Sequence, residues 1–230
     1  MSEHELGSFA VVNTHIICFV SGDGVSFTNQ EKTDVVNTTL LAQLSAHKSS
    51  KSYAHAEEWI RGFLNTASRI GWYPTMQLES QSKFSNTTHA EMKVSVDAVA
   101  ARLMVQSKQV NRLKILEALL YLKGPGIPIG FEILEKHGKF GTDGAFQFVI
   151  CEKSVEEGIL IRVFPFAFES SEEVTSTLFQ PLVDDVPCKM KYMSEGIVAT
   201  LNTSLVDRIR DAIKHKLEGY VDELVAYLPI

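Results

Sequence analysis

The chain has 230 residues, of which 45% are hydrophobic and 22% are charged, and these ordinary globular values exclude intrinsic disorder as the default state. Its formal net charge of -6 favours solubility and argues against a basic surface that follows a nucleic-acid backbone. The composition therefore predicts a folded protein that does not bind nucleic acid.

A strand followed by a helix is predicted at the start of the chain. Residues 9 to 20 mix β-branched and aromatic side chains and run into a glycine-containing turn at residues 21 to 24, which predicts a single strand. Apolar residues at four-residue spacing predict a helix from Asn29 to about residue 50. Thr28 or Asn29 is the expected N-cap residue, because both side chains can accept a hydrogen bond from the first turn.

The next part of the chain is predicted to be helical with one short strand. Residues 56 to 70 place apolar side chains on one helical face, and Gly71 provides the left-handed residue that ends the helix. Alternating apolar and polar residues predict a half-exposed strand within residues 72 to 81. Residues 95 to 123 predict one long helix or two shorter ones, and residues 127 to 144 are interpreted as an irregular linker because of their glycines.

The second half of the chain is predicted to form a sheet. Short runs rich in β-branched and aromatic residues predict strands at residues 145 to 151, 158 to 168, 174 to 182, 188 to 193 and 196 to 201. In the second of these runs apolar side chains occur at both parities, which indicates burial on both faces. Pro165 lies within that run and predicts a bulge or an edge position, because proline cannot donate a backbone hydrogen bond.

An amphipathic helix is predicted to close the chain. Apolar residues at helical spacing run from about Ser204 to Leu228. Asp207 and Arg210 lie on the opposite, polar side of this helix. We expect its apolar face to cover one side of the sheet.

These elements together predict an α+β fold. Helices and strands are segregated along the chain instead of alternating, which favours α+β over a doubly wound fold. The expected arrangement is a helical N-terminal half packed with a C-terminal antiparallel β-meander and the closing amphipathic C-terminal helix. A single domain over residues 1–230 is predicted, with residues 1–124 mainly helical with one or two strands and residues 145–230 forming sheet plus helix.

Sequence motifs for metal, cofactor or nucleophilic chemistry were sought and not found. Cys18, Cys151 and Cys188 are widely spaced among apolar neighbours, so they are interpreted as buried thiols. The glycine-rich segments do not fit a phosphate-binding loop, and no HExxH, CxxC or GxSxG motif occurs. The sequence therefore predicts no metal, no cofactor and no catalytic residue that can be named.

Phenylalanine is concentrated in the predicted sheet. The residues that form this group are Phe146, Phe148, Phe164, Phe166, Phe168 and Phe179. Their simplest interpretation is a packed core beneath the last helix. The alternative is an apolar pocket or an oligomer interface, because a sheet that is apolar on both faces needs a cover on each.

Three functions remain compatible with these patterns. The first is a non-catalytic interaction or assembly protein that binds a protein partner or itself, since catalytic motifs are absent and amphipathic surface is abundant. The second is a toxin-like or effector protein acting at a membrane through peripheral contact, suggested by the last helix and the phenylalanine-rich strands. The third is an enzyme with a site assembled from distant residues, for which His89, Glu91, Cys151 and His137 are arbitrary candidates.

The sequence shows no classical export signal, which predicts a cytoplasmic location. The N-terminus carries acidic residues where a secretory signal peptide carries basic ones. The longest strongly apolar stretch, residues 158 to 168, is about half of the roughly 20 residues that a membrane-spanning helix needs. We therefore expect a cytoplasmic protein with no transmembrane segment, and the missing catalytic motifs favour a non-catalytic role over an enzyme.

Overall fold

A computed structural model describes residues 8–21, 24–49, 56–76, 129–140, 143–170, 188–192 and 197–228 of the chain. The described strands are β1 (Phe9–Val12), β2 (His15–Ser21), β3 (Trp72–Met76), β4 (Lys139–Phe140), β5 (Asp143–Ser154), β6 (Gly158–Ser170), β7 (Cys188–Tyr192), β8 (Ile197–Leu201) and β9 (Val225–Leu228). The described helices are α1 (Asn29–Ser49), α2 (Ala56–Arg69), α3 (Ile129–Gly138), α4 (Thr203–Leu217) and α5 (Val221–Leu224). The predicted α+β class is confirmed, whereas the single domain of 230 residues stays a prediction.

The strands form one nine-stranded mixed sheet in the order β3-β8-β6-β5-β2-β1-β9, with β4 paired to β5 and β7 paired to β6. The predicted antiparallel pairing holds for β5 with β6 and for β6 with both β7 and β8. Strand β2 pairs with β5 in parallel, and β3 forms an edge beside β8. Strands from the N-terminal third therefore complete a sheet that the sequence assigned mainly to the C-terminal half.

The single strand predicted at residues 9 to 20 is wrong, because the chain reverses in its middle. Strands β1 and β2 pair antiparallel around Asn13 and Thr14. Asn13 has a φ of 53°, in the left-handed region that asparagine tolerates better than most residues. The turn contains no glycine, so the strand-like pattern of β-branched and aromatic residues gave no sign that the strand is interrupted there.

Helix α1 begins with a reciprocal capping box, and the predicted N-cap residue is confirmed as Thr28. The backbone N–H of Thr28 donates to the Glu31 carboxylate at 2.8 Å, and the backbone N–H of Glu31 donates to Thr28 Oγ1 at 3.2 Å. Two backbone donors that the first helical turn leaves free are satisfied in this way. Lys153 Nζ on β5 also contacts the Glu31 carboxylate at 2.7 Å, which ties the start of α1 to the sheet.

Removing this cap has a modest expected effect on stability. The Thr28→Ala variant loses the side-chain oxygen that accepts from Glu31, so we expect the free energy of unfolding to fall by about 1 kcal/mol. Urea denaturation followed by circular dichroism measures this loss. Thr28→Ser keeps the hydroxyl and should remain close to the parent, and equal losses in both variants would contradict a capping role.

Helix α2 ends as predicted at a left-handed glycine. Gly71 has a φ of 107°, and a Cβ at this position would lie 3.0 Å from Val206 Cγ2 on α4. The chain therefore turns directly into β3, whose start at Trp72 confirms the strand predicted there. The exit from α2 also sets the distance between α4 and this edge of the sheet.

The irregular linker predicted for residues 127 to 144 is wrong. Residues Ile129–Gly138 form helix α3, and β4 and the start of β5 follow it. Ile133 and Leu134 of this helix are buried. Helix α3 contacts β1, β5 and β9. Burial against the sheet explains why a helix forms where the local sequence signalled only glycine-rich turns.

The single closing helix predicted up to Leu228 is also wrong. Helix α4 ends at Leu217, because Gly219 adopts a φ of 86° and redirects the chain. The short α5 and then strand β9 follow, and β9 pairs with β1. Val206, Ile213 and Leu217 form the buried face of α4, as the apolar spacing predicted, and Asn202 caps the helix through Leu205.

Pro165 occupies the position on β6 where its outer neighbour changes. Strand β8 pairs with β6 from Ile159 to Val163, and β7 pairs with it from Phe166 onward. On the other side Pro165 pairs with Gln147 of β5. Strand β6 is an interior strand, but among the described residues Pro165 has no partner on the outer side, where β7 and β8 lie, so it occupies a local edge, one of the two predicted positions.

The sheet is buried on both faces. One face packs against α1, α2 and α4 in a cluster that includes Val149, Cys151, Ile161, Leu40 and Phe63. The other face carries buried side chains of opposite parity on the same strands. These residues are Phe9, Ile16, Cys18, Phe146, Phe148, Ile150 and Phe164. The two-sided burial predicted from the parity of the apolar residues is confirmed.

Several predictions fall on residues that the structure does not describe. They are the continuation of β3 through residues 77 to 81, the helix at residues 95 to 123, the strand at residues 174 to 182, Phe179, His89 and Glu91. Among the described helices, none is long and apolar enough to cross a membrane.

Candidate functional site

Among the phenylalanines singled out in the sequence, Phe146, Phe148 and Phe164 lie together on one face of the sheet. Phe148 of β5 pairs with Phe164 of β6, and Phe146 pairs with Phe166. Phe168 continues the same parity of β6. The side chains of Phe146, Phe148 and Phe164 are buried, as in a packed core. The two depressions described below lie elsewhere, so the pocket or interface at these residues remains an untested alternative.

An open groove lies between α1 and the turn that follows α4. Its volume is about 550 Å³, within the range of small-ligand sites. The groove is lined by Thr33, Asn37, Lys214, His215, Leu217, Glu218, Gly219, Val221 and Asp222. The left-handed Gly219 shapes the groove, because it separates the end of α4 from α5.

The floor of this groove is formed by polar side chains of α1. Thr33 and Asn37 are four residues apart and therefore share one helical face. The Thr33 hydroxyl donates to the Asn29 carbonyl at 2.8 Å. Thr33 is also hydrogen-bonded to Tyr227 of β9, and burial raises the pKa of that phenol, with this hydrogen bond acting in the opposite direction. The position of Thr33 is thus fixed by its neighbours.

Asn37 is the unusual member of the floor. The residue is 7% exposed, and its carboxamide atoms are not among the fully buried side-chain atoms that lack a hydrogen-bond partner in the described part of the chain. Asn37 is therefore a largely buried polar residue that still reaches the open space of the groove. Because Asn37 lines both this groove and a narrow cleft next to it, its amide is available to a molecule that enters the groove.

The rim of the groove carries charges of both signs. Lys214 and His215 lie on the last turn of α4, and Glu218 and Asp222 lie beyond it. His215 Nδ1 is 3.3 Å from Glu218 Oε2, but both side chains are largely exposed to solvent. An exposed pair of this kind is not held in a fixed geometry by its surroundings, so it does not provide a preorganised catalytic centre.

A partly buried ion pair joins α4 to α1 next to the groove. Arg210 Nε donates to Asp34 Oδ1 and Arg210 Nη2 donates to Asp34 Oδ2, both at 2.8 Å. Asp34 lies one turn before Asn37 on α1. Arg210 lies on the polar side of the helix, as predicted, and its two-point contact with Asp34 fixes α4 against α1.

The residues considered for an enzyme do not form a site within the described part of the chain. Cys151 is fully buried, and burial raises the pKa of its thiol well above the usual value. Such a thiol stays protonated and is a poor nucleophile. Cys18 is also a buried free thiol, as predicted, and no group of three potential metal ligands comes together among the described residues.

Comparisons with known proteins do not place this chain in a family. No protein-family model and no curated protein matches it. A search of solved structures returned the structure of the Evf virulence factor, with 7% sequence identity and a TM-score of 0.37, covering 99% of this chain and 86% of that chain. A likeness of this size supports no functional inference, and the function is therefore argued from the site itself.

Proposed function

We propose that this protein is a non-catalytic interaction protein that holds a short peptide segment of a partner in the groove between α1 and the end of α4. The observation that supports the proposal is Asn37, a largely buried polar residue of α1 whose carboxamide lines the groove. A few placed polar groups in a depression are typical of a binding position.

The chemistry of Asn37 favours a peptide over a charged ligand. A carboxamide offers one acceptor and two donors, so it can bind the C=O and the N–H of a peptide bond at the same time. The rim carries Lys214 together with the carboxylates of Glu218 and Asp222, so it presents charges of both signs instead of a surface of one sign. A volume of about 550 Å³ accommodates a few residues.

The other two functional hypotheses find less support among the described residues. A membrane-acting protein needs a broad apolar surface, whereas the exposed large apolar side chains described are the scattered Tyr73, Val155 and Tyr220. An enzyme needs fixed polar groups in a cleft, whereas the charged groups of this groove lie on its solvated rim. The groove therefore favours binding over catalysis.

Binding of a small amide probe tests this proposal. We expect N-acetylalanine N-methylamide, titrated into the full-length protein, to shift the NMR signals of the Asn37 side chain and the Gly219 backbone with a Kd in the millimolar range. Sodium acetate and methylammonium chloride at the same concentrations should leave these signals unchanged, because they lack a peptide bond. Equal shifts with all three compounds, or shifts that map outside the groove, would contradict the proposal.

The Asn37→Leu variant separates binding from stability. Leucine has a similar size but cannot form hydrogen bonds, so we expect a loss of at least about tenfold in affinity for the amide probe, which corresponds to 1.4 kcal/mol. Because leucine keeps the volume of the side chain and adds apolar burial at a largely buried position, the free energy of unfolding should stay equal or rise. Lys216→Leu, an exposed change on α4 outside the groove, is the matched control and should bind like the parent.

A further inference from the structure

The tight turn between β1 and β2 is buried instead of lying on the surface. Asn13, Thr14 and His15 are 4%, 0% and 0% exposed. The backbone N–H of Asn13 donates to the Leu224 carbonyl at 2.7 Å, and the backbone N–H of Gln147 donates to the Thr14 carbonyl at 2.9 Å. Turns usually remain at the surface because their backbone groups need water, so the contacts that hold this one are specific.

His15, directly after the turn, is held by aromatic contacts alone. Neither ring nitrogen is hydrogen-bonded to any residue in the described ranges. The ring stacks on Phe63 of α2 with a centroid distance of 5.6 Å and an interplanar angle of 24°, and it lies 6.1 Å from the Trp59 ring. Two buried nitrogens without partners are destabilising, so this histidine calls for a physical explanation.

Other groups around His15 do not provide a counter-charge. Burial, and next the charge of His47 on α1, place the pKa of His15 well below its usual value, and no described carboxylate contributes. From β5, the group near the turn is the neutral Gln147, which accepts from the Thr14 hydroxyl at 3.0 Å. From α2, the groups that face His15 are the uncharged rings of Trp59 and Phe63.

A second histidine, His47 of α1, influences His15 and also resists protonation. Burial lowers its pKa, and its hydrogen bond with the Gln43 carbonyl acts in the opposite direction. The 2.9 Å contact with that carbonyl, which can only accept, assigns a proton to His47 Nδ1. The approach of Trp59 Nε1 to the same nitrogen at 3.4 Å is then a contact and not a second hydrogen bond.

We propose that the β1–β2 turn is an acid-sensitive latch, which stays closed while the His15 ring is neutral and opens when His15 takes up a proton. The geometry behind the proposal is a strained, buried turn with an unbonded histidine packed between Phe63 and Trp59. Opening moves the turn away from α1 and α2. It also returns water to the buried Asn13 Oδ1 and Gln43 Oε1, which lack partners among the described residues.

The direction of the pH effect follows from where the proton binds. The closed form excludes the proton, whereas an opened turn exposes His15 with an ordinary pKa near 6.5. Below that pH, the equilibrium constant for opening rises by about tenfold per pH unit for each histidine that the opened form exposes. The closed latch is therefore complete above about pH 6.5 and weakens as the pH falls.

Hydrogen exchange in the full-length protein tests the latch. The probes are the amides of Asn13 and Gln147, whose protection factors are measured by NMR from pH 7.5 to 5.0. We expect both factors to fall about tenfold per pH unit below 6.5, while the protected amides of the β5–β6 pairing keep theirs. His15→Phe retains the ring stacking but cannot titrate, so its protection factors should not depend on pH.

Two further measurements keep the test decisive. His215→Phe changes an exposed histidine and should retain the pH dependence of the parent. If His15→Phe does not fold, the NMR titration of the His15 ring in the parent protein replaces it, and its protonation must coincide with the loss of protection. The latch is overturned if His15→Phe keeps the parent's pH dependence, or if His15 becomes protonated while Asn13 and Gln147 stay protected.

Discussion

The Arg210→Met variant is expected to lower the free energy of unfolding by about 3–5 kcal/mol, because it leaves the Asp34 carboxylate buried without its counter-charge. The side chain of Asp34 is 8% exposed, and both of its oxygens bind Arg210. Gln30 Nε2 donates to Asp34 at 2.9 Å, but a neutral amide does not replace a guanidinium. Methionine preserves the packing of the arginine stem, so the decrease in the free energy of unfolding reflects the removal of the charge.

Urea denaturation measures this effect, and two variants control it. Arg208→Met alters an exposed arginine on the same helix and should change the free energy of unfolding by less than about 0.5 kcal/mol. Adding Asp34→Leu to Arg210→Met removes the stranded carboxylate, so it should recover most of the lost stability. A loss below about 1 kcal/mol in Arg210→Met would show that water reaches Asp34 and replaces the arginine.

Helices with strong local signals were predicted well from the sequence. Helix α1 starts at a capping box, in which Thr28 and Glu31 are three residues apart and satisfy each other's backbone groups. Helix α2 ends at Gly71, whose left-handed conformation is a local property of glycine. Such signals depend on neighbours within one or two turns, so a sequence pattern contains them.

Features that depend on distant pairing were missed. Strand β2 pairs in parallel with β5, for example at Phe19 and Cys151. No local sequence pattern encodes a contact between segments so far apart. Helix α3 forms where residues Ile133 and Leu134 become buried against strands that the sequence did not place there. The turn at Asn13 was missed for a related reason, since its burial is set by Gln147 and Leu224.

The candidate site was not predicted at all. Asp34 and Asn37 are ordinary polar residues near the start of a helix, and such positions usually face water. Both are buried because Arg210, separated by 176 positions along the chain, brings α4 against α1. One signal was available: helix α1 mixes polar and apolar residues without a clear apolar face, which is unusual for a helix with solvent on one side. This pattern is typical of a helix buried on several sides.

The Phe148→Ala variant distinguishes a core role of the phenylalanines from a pocket or an interface. Phe148 is 0% exposed and pairs with Phe164, so its removal leaves a cavity, and we expect the free energy of unfolding to fall by about 3–5 kcal/mol. Val155→Ala, in the exposed turn between β5 and β6, should change it by less than about 0.5 kcal/mol. Urea denaturation together with light scattering separates the two roles. If these rings instead bound a ligand or a second copy, Phe148→Ala would unfold like the parent and alter only the measured mass or ligand affinity.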